Sequence, residues 1–599
     1  MRSARLIVAA LLIAACSRKA PPPPPPATPG SGSGSGSAVV VVAPDAGVVV
    51  PIYRSKESGD HTDAAQSGSG KTFMVVSEAE LATKVGKDIL ASGGNAVDAA
   101  VATAFALAVV HPTAGNIGGG GFAVVRVAAG KAVALDFREV APAAATADMY
   151  LDKDGKPTKA SLVGDRAVGV PGTVAGLWAL HQKLGKKPWK ELVEPAIALA
   201  RDGFTVDEHL HQSILARAKQ LLDFPKTAEI WVPGRVPRET GSLVAIPQLA
   251  VALERIRDQG PDGFYKGETA KAIVDEMKAG GGIITATDLA GYQPVWRDPL
   301  RFSYRGNSIV SMPPPSSGGI VLAMTAGMLK ATDVGKLAWH GPDHVHLLTE
   351  VWRRAFAARN ELLGDPAFVK DQPVEKLMSQ PYLDKLVATI GPKATPSKDV
   401  AALLEGNHTT NLCVVDASGM AVAMTYTLNT SWGSGVTVHG FLLNNEMDDF
   451  TSKPGSPNVF GLVQGTANKI EPGKRMLSSM SPTIVENDKG EVILLAGAGG
   501  GPRIITAVWQ TISNALDFKN PAAAAVALPR VHHQHLPDKV FIEADSIDQA
   551  TDTALKGLGY TLDYGASTRE FGAVNAIERT ATGWDGAADP RGGGAAMGD

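Results

Sequence analysis

The chain has 599 residues, with 57 Lys and Arg against 60 Asp and Glu, and a formal net charge of −3 at pH 7 with both signs scattered along it. That balance excludes the large basic surface that counterion-driven nucleic-acid binding needs, so nucleic acid is not an expected partner. A hydrophobic share of 44% with 20% charged residues is that of a folded chain with a sizeable core, and two cysteines exclude a disulfide scaffold or a zinc site built on several thiolates.

Arg2 and Arg5 precede an apolar run from Leu6 to Ala15. It is shorter than the roughly 20 residues of a membrane-spanning helix but has the length of a signal-peptide core. Ala14 and Ala15 lead into Cys16, and polar residues follow at once. The segment resembles the lipobox of bacterial lipoproteins, which implies a lipid on Cys16, export to the cell envelope or periplasm, and membrane contact through that lipid alone. Pro21 to Pro26 is a stiff polyproline stretch and Gly30 to Ser37 alternates Gly and Ser as a flexible coil, so residues 1–16 are expected to be an address and 17–72 a linker.

From residue 73 onward the pattern is helical first. Apolar repeats at three and four residues predict helices over 78–92 and 95–110, split by Gly93-Gly94, and the Ala-rich run to Val110 reads as a buried core helix. Strands are expected at 122–128 and 132–138, then helices at 174–184, 190–201, 247–258, 268–279, 318–330, 342–363 and 381–390. After a polar stretch, Ala394 to His408, alternation takes over, with a hairpin of Leu412–Asp416 and Met420–Leu428 about a turn at Ser418-Gly419. Strands at 440–445, 481–486, 491–496 and 539–543 and a helix at 503–517 complete an α+β pattern of sheets sandwiched by helices.

Several tempting motifs do not survive inspection. Gly70-Lys71-Thr72 lacks the glycine a phosphate-cradling loop needs at position 65, which is Ala65. The glycine clusters at 118–121 and 497–501 lack dinucleotide spacing. His532, His533 and His535 have no accompanying carboxylate motif, so a structural role is preferred to a metal site; Cys413, in an alternating segment, reads as a buried strand cysteine.

Asn407-His408-Thr409-Thr410, followed by the hairpin, resembles the self-cleaving junction of gamma-glutamyltranspeptidases, members of the N-terminal nucleophile hydrolases. The resemblance extends through Asp136-Phe137-Arg138-Glu139, His111-Pro112 with Gly115 to Phe122, Pro171 to Gly176, Thr425 to Asn429, Asn444 to Phe450, Leu477 to Pro482 and Asp589-Pro590-Arg591, in family order from about residue 73 to the end. It implies a four-layer αββα sandwich made from one precursor, with a heavy chain of residues 73–408 and a light chain of 409–599 forming a heterodimer.

The chemistry accounts for these residue types. A threonine hydroxyl is a poor nucleophile without a base, and an N-terminal residue carries its own in an α-amine of pKa about 8. The resemblance therefore implies that Thr409 attacks the His408 carbonyl to free itself, then attacks the γ-amide of glutathione or another γ-glutamyl compound. Water, an amino acid or a dipeptide would resolve the resulting ester. No cofactor and no metal is required. Gly500 and Gly501 match the oxyanion-hole positions and Thr427 the residue that orients Thr409. Arg138, helped by Ser478 and Ser479, would hold the substrate α-carboxylate; Asp449 would pair with the α-ammonium, beside Glu446 and Asn429. Position 446 is Glu where several bacterial relatives have Gln, and Phe460, in the lid-like segment Lys453 to Phe460, replaces a tyrosine seen in some relatives. Two alternatives remain open: a cephalosporin or glutaryl acylase of the same fold, which has no use for Asp449, and an inactive envelope lipoprotein that binds peptides.

Overall fold

Alternation along Thr410–Val415 divides the body into two cores: Leu412 and Val414 face one, Cys413 and Val415 the other, and the strand is buried along its whole length. A computed structural model describes residues 40–42, 49–51, 66–127, 131–400, 409–453 and 465–599. Cys16, His408 and the stretch from Pro454 to Phe460 lie outside the described residues.

Two seven-stranded sheets, antiparallel at every pairing, form the centre. The first runs in bonding order Ala595–Gly598, Met74–Ser77, Thr410–Val415, Ala421–Thr427, Gly120–Arg126, Ala132–Phe137 and Val295–Arg297. The second runs Leu300–Tyr304, Asn307–Ser311, Thr483–Glu486, Val492–Gly499, Ala573–Arg579, Trp584–Ala588 and Gln66–Gly70. The expected hairpin is present in the register Thr410↔Tyr426.

The helix Ala96–Val110 is buried at every position, as a helix apolar on all sides must be, and it starts at an Asn95–Asp98 capping box. It belongs to the core on the outer face of the first sheet. Gly318–Met328, Pro342–Leu362 and Arg503–Leu516 pack with the second sheet, giving the helix–sheet–sheet–helix order that the sequence implied. The pairing reaches further back than the sequence suggested: Gln66–Gly70, inside the span assigned to the linker, joins Trp584–Ala588, and Ser69 donates to Asp585 at 2.7 Å. Helices at Glu208–Leu221 and Gln549–Gly557 and the C-terminal strands were not expected.

The closing residues are fixed by charge. Asp589 accepts from Arg530 at 2.6 Å, from Arg591 at 2.8 Å and from the Val574 backbone at 2.9 Å, while Arg591 also donates to Glu543 at 2.7 Å. Burial pushes the Asp589 carboxyl up, but Arg530 and Arg591 outweigh it and hold the group below the ordinary carboxylate range. Its contribution is therefore present at neutral pH and lost as the pH falls through its lowered value. Asp589→Asn should cost about 3–5 kcal/mol in denaturant unfolding at neutral pH, the scale for breaking a buried ion pair, and the gap to the parent should narrow in acid.

Candidate active site

Thr409 stands one position before the strand Thr410–Val415, opposite Thr427 in the hairpin register. Its hydroxyl donates to Thr427 Oγ1 at 3.4 Å, and the same oxygen accepts the Asn429 N–H at 2.8 Å. Asn429, in the left-handed region at φ 77°, donates its side-chain amide to the Asn445 carbonyl at 3.0 Å. A hydrogen-bonded path thus runs from Thr409 through Thr427 and Asn429 to the residue before Glu446.

The second sheet meets Thr409 end-on. A Cβ at Gly499 would lie 1.7 Å from the Thr409 carbonyl oxygen, so only glycine permits this approach. Gly500 and Gly501 follow at φ 132° and 57° and lead into the helix Arg503–Leu516. Backbone N–H groups at this strand-to-helix turn face the favourable end of a helix dipole for developing negative charge.

Arg138 is fully buried at the end of the strand Ala132–Phe137. One η-nitrogen donates to Glu446 and the other to Asp449, Nε donates to the Met476 carbonyl at 3.4 Å, and Glu139 lies 3.6 Å away. Three carboxylates thus share one guanidinium. Burial would lower Arg138, but Glu446, Asp449 and Glu139 drive it above its ordinary value. Burial raises all three carboxyls against the pull of Arg138, Glu446 well above its usual range and Glu139 to about 8. Glu446 Oε2 and both Glu139 carboxylate oxygens are buried without a hydrogen-bond partner.

Ser478 and Ser479 are held from the opposite side. The Ser478 carbonyl accepts from the Ser317 N–H at 2.7 Å and hydroxyl at 2.6 Å, and Ser479 Oγ accepts from Arg359 at 3.1 Å. The structure therefore joins Arg138, Glu446 and Asp449 directly, and Thr409, Thr427 and Asn429 in a chain. Ser478 and Ser479 follow shortly after Met476, whose carbonyl accepts from Arg138. His408 lies outside the described residues.

Two residues at the site, Glu139 and Glu78, have no role assigned from sequence. Glu139 was quoted only as part of a motif. Glu78, just past Met74–Ser77, accepts from the Asn411 N–H at 3.3 Å and lies 3.4 Å from His111 Nε2; burial raises its carboxyl against the pull of His111. A charged residue ending an otherwise apolar strand was the available signal. Elsewhere, His532 is tied to Thr506 and Gln534 at 2.7 Å each, and burial pushes the Cys413 thiol up. Among the described residues no group of His, Cys, Asp and Glu is arranged to hold a metal ion.

The sequence profile of the gamma-glutamyltranspeptidase family matches residues 82–599. The chain belongs to that family. Among its relatives is the glutathione hydrolase proenzyme of Pseudomonas aeruginosa, 46% identical over 566 residues that cover 91% of this chain and 99% of the relative. Among solved structures, a cephalosporin acylase from Bacillus halodurans superposes with a TM-score of 0.77 at 25% identity, covering 93% of this chain and 99% of that one. Helicobacter pylori gamma-glutamyltranspeptidase gives a TM-score of 0.53 at 43% identity, covering 53% of this chain and 92% of that one. The family fold is the αββα sandwich described above.

Glu139, buried with no hydrogen bond to its carboxylate oxygens among the described residues, supplies a pH test. A carboxyl whose folded pKa is raised contributes stability that is complete in acid, below its unfolded value near 4.5, and lost as the pH rises through its folded value. The thermal midpoint of the protein should fall as the pH is raised through about 8, and Glu139→Gln should flatten that fall.

Proposed function

We infer that this chain is a gamma-glutamyltransferase and glutathione hydrolase that matures by cutting itself between His408 and Thr409. The observation that carries the reading is the pairing of Thr409, held by Thr427 at the head of a buried strand, with a compact charge cluster on Arg138. In the first step the Thr409 hydroxyl attacks the His408 carbonyl carbon. The C–N bond breaks as the C–O bond forms, the α-nitrogen leaves with the hydroxyl proton, and water then cleaves the ester. Residues 73–408 become the heavy chain and 409–599 the light chain, which stay together as a heterodimer.

The freed α-amine then takes the Thr409 hydroxyl proton while Oγ attacks the γ-carbonyl of the donor. Negative charge develops on the carbonyl oxygen, and the backbone N–H groups of Gly500 and Gly501 would be its donors. One such donor is worth about 3–4 kcal/mol of barrier. When the tetrahedral intermediate collapses, the amine leaves carrying that proton and a γ-glutamyl ester remains on Thr409. Water hydrolyses the ester, or the amine of an amino acid or dipeptide attacks it and returns a proton to Thr409 Oγ.

The Arg138 cluster reads as a template for the glutamyl zwitterion. An entering α-carboxylate would take the place of a protein carboxylate on the guanidinium, and the α-ammonium would neutralise the carboxylate released. Glu446 Oε2, buried and without a partner, is an acceptor waiting for an ammonium N–H. Asp449 is the second, with Asn429 holding Asn445 in place beside Glu446. Ser478 and Ser479 complete the carboxylate side. Export to the envelope with a lipid on Cys16 is part of the same reading and rests on the N-terminal sequence. A glutaryl or cephalosporin acylase is the second reading, favoured by the likeness to the Bacillus halodurans enzyme, and it leaves the second acidic acceptor without a task.

The purified protein should migrate as two chains, one beginning at Thr409 by mass spectrometry, and Thr409→Ala should stay a single inactive chain. Asp449→Asn should lower hydrolysis of γ-glutamyl-p-nitroanilide by about 10- to 100-fold, the size of a lost charge-assisted hydrogen bond. Glutaryl-p-nitroanilide turnover should change far less; equal losses would favour the acylase.

A further inference from the structure

Thr409 and Gly500 also border a cavity of about 330 Å³ to which none of Arg138, Glu446, Asp449, Ser478 and Ser479 contributes. The side chains this cavity offers beside Thr409 are therefore different from those of the Arg138 cluster. The volume is at the lower end for small-molecule pockets and suits a dipeptide-sized amine.

The charges of this second compartment are unbalanced. Glu570 on its wall is paired with Arg503 at 3.1 Å, and Glu78 is engaged by His111 and the Asn411 N–H. Arg591 is committed to Asp589 and Glu543. Two wall residues are left over. Arg217, half-buried on the helix Glu208–Leu221, makes no ion pair among the described residues; its one hydrogen bond is a 3.5 Å contact to the Gln220 side chain. Burial with no counter-charge pulls it below its ordinary value, the opposite of what three carboxylates do to Arg138. Arg569, exposed on the wall, likewise has no ion pair among the described residues; the nearby Glu208 carboxylate accepts from Thr240 and Gln212.

We propose that this cavity receives the amine side of the reaction, first the departing peptide and then the acceptor, and that Arg217, with Arg569, binds the carboxylate at the far end of that peptide. A planar guanidinium with no ion pair among the described residues is suited to a carboxylate, which it grips with two parallel N–H donors. The arrangement makes this chain selective for donors and acceptors that end in a free carboxylate over those whose amine side is neutral. It rests on the γ-glutamyl-enzyme reading above, and it concerns the half of the substrate that the Arg138 cluster does not touch.

The test compares two donors and two acceptors on the full, processed protein. Glutathione carries a carboxylate on its leaving side; γ-glutamyl-p-nitroanilide does not. Arg217→Gln should lower kcat/KM for glutathione about tenfold more than for the anilide, the factor expected for loss of one charge-assisted hydrogen bond. It should also erase a preference for glycylglycine over glycylglycinamide as acceptor. Arg569→Gln should shift both ratios the same way by less. Processing to a Thr409 N-terminus in each variant checks that it folds. Equal losses on both donors, or an acceptor preference that survives Arg217→Gln, would overturn the assignment. A parent protein inactive on the anilide would instead overturn the γ-glutamyl reading and this one with it.

Discussion

The nucleophile proposed for this chain, Thr409, has to become the first residue of a polypeptide, yet it precedes a strand buried along its length inside a sheet, with a neighbour on each edge. Only the head of such a strand is reachable, and there the second sheet closes in until Gly499 touches the Thr409 carbonyl. Strand register and sheet packing thus fix the hydroxyl before any cut is made, and scission adds an amine without rebuilding the site. The Thr427 contact, the glycine turn and the helix behind it follow from the same geometry.

Electrostatics divides the surroundings of that hydroxyl into two regimes. On one side a single guanidinium is crowded by three carboxylates, two of them fully buried, an arrangement whose desolvation cost is repaid only when charges are closely matched. On the other, Arg217 and Arg569 make no ion pair among the described residues. A γ-glutamyl peptide carries a zwitterion at one end and an anion at the other, and the two regimes are complementary to those ends in that order.

Much of this was legible in the chain because the signals are local. Period-two alternation from Leu412 to Leu428 marked the hairpin, and the apolar run from Ala96 to Val110 marked a buried helix. Motif order supplied Arg138, Asp449 and the glycine turn. What escaped were features made by distant parts of the chain. Gln66–Gly70 is Gly- and Ser-rich and becomes a strand only because Trp584–Ala588 offers it an edge. Glu78 gains meaning from His111 and Asn411, and Arg217 from having no ion pair among the described residues, neither of which spacing can express. The direct ion pairs of Arg138 with Glu446 and Asp449 join residues about 310 positions apart, so groups that read in the chain as having separate tasks are first bound to one another by the fold.

The order of strands in the first sheet has a further meaning. Met74–Ser77 lies between Ala595–Gly598 and Thr410–Val415, and the Asp599 side chain accepts from the Thr72 backbone and hydroxyl at 2.8 Å each. A cut before Thr409, as proposed above, would leave one polypeptide threaded between two strands of another. Before the cut, assembly is a unimolecular search; afterwards it would be a bimolecular one between two partners, neither holding a complete sheet. A mature molecule that unfolds has thus lost the connection that brought its strands together, and its persistence becomes a matter of unfolding rate more than of equilibrium.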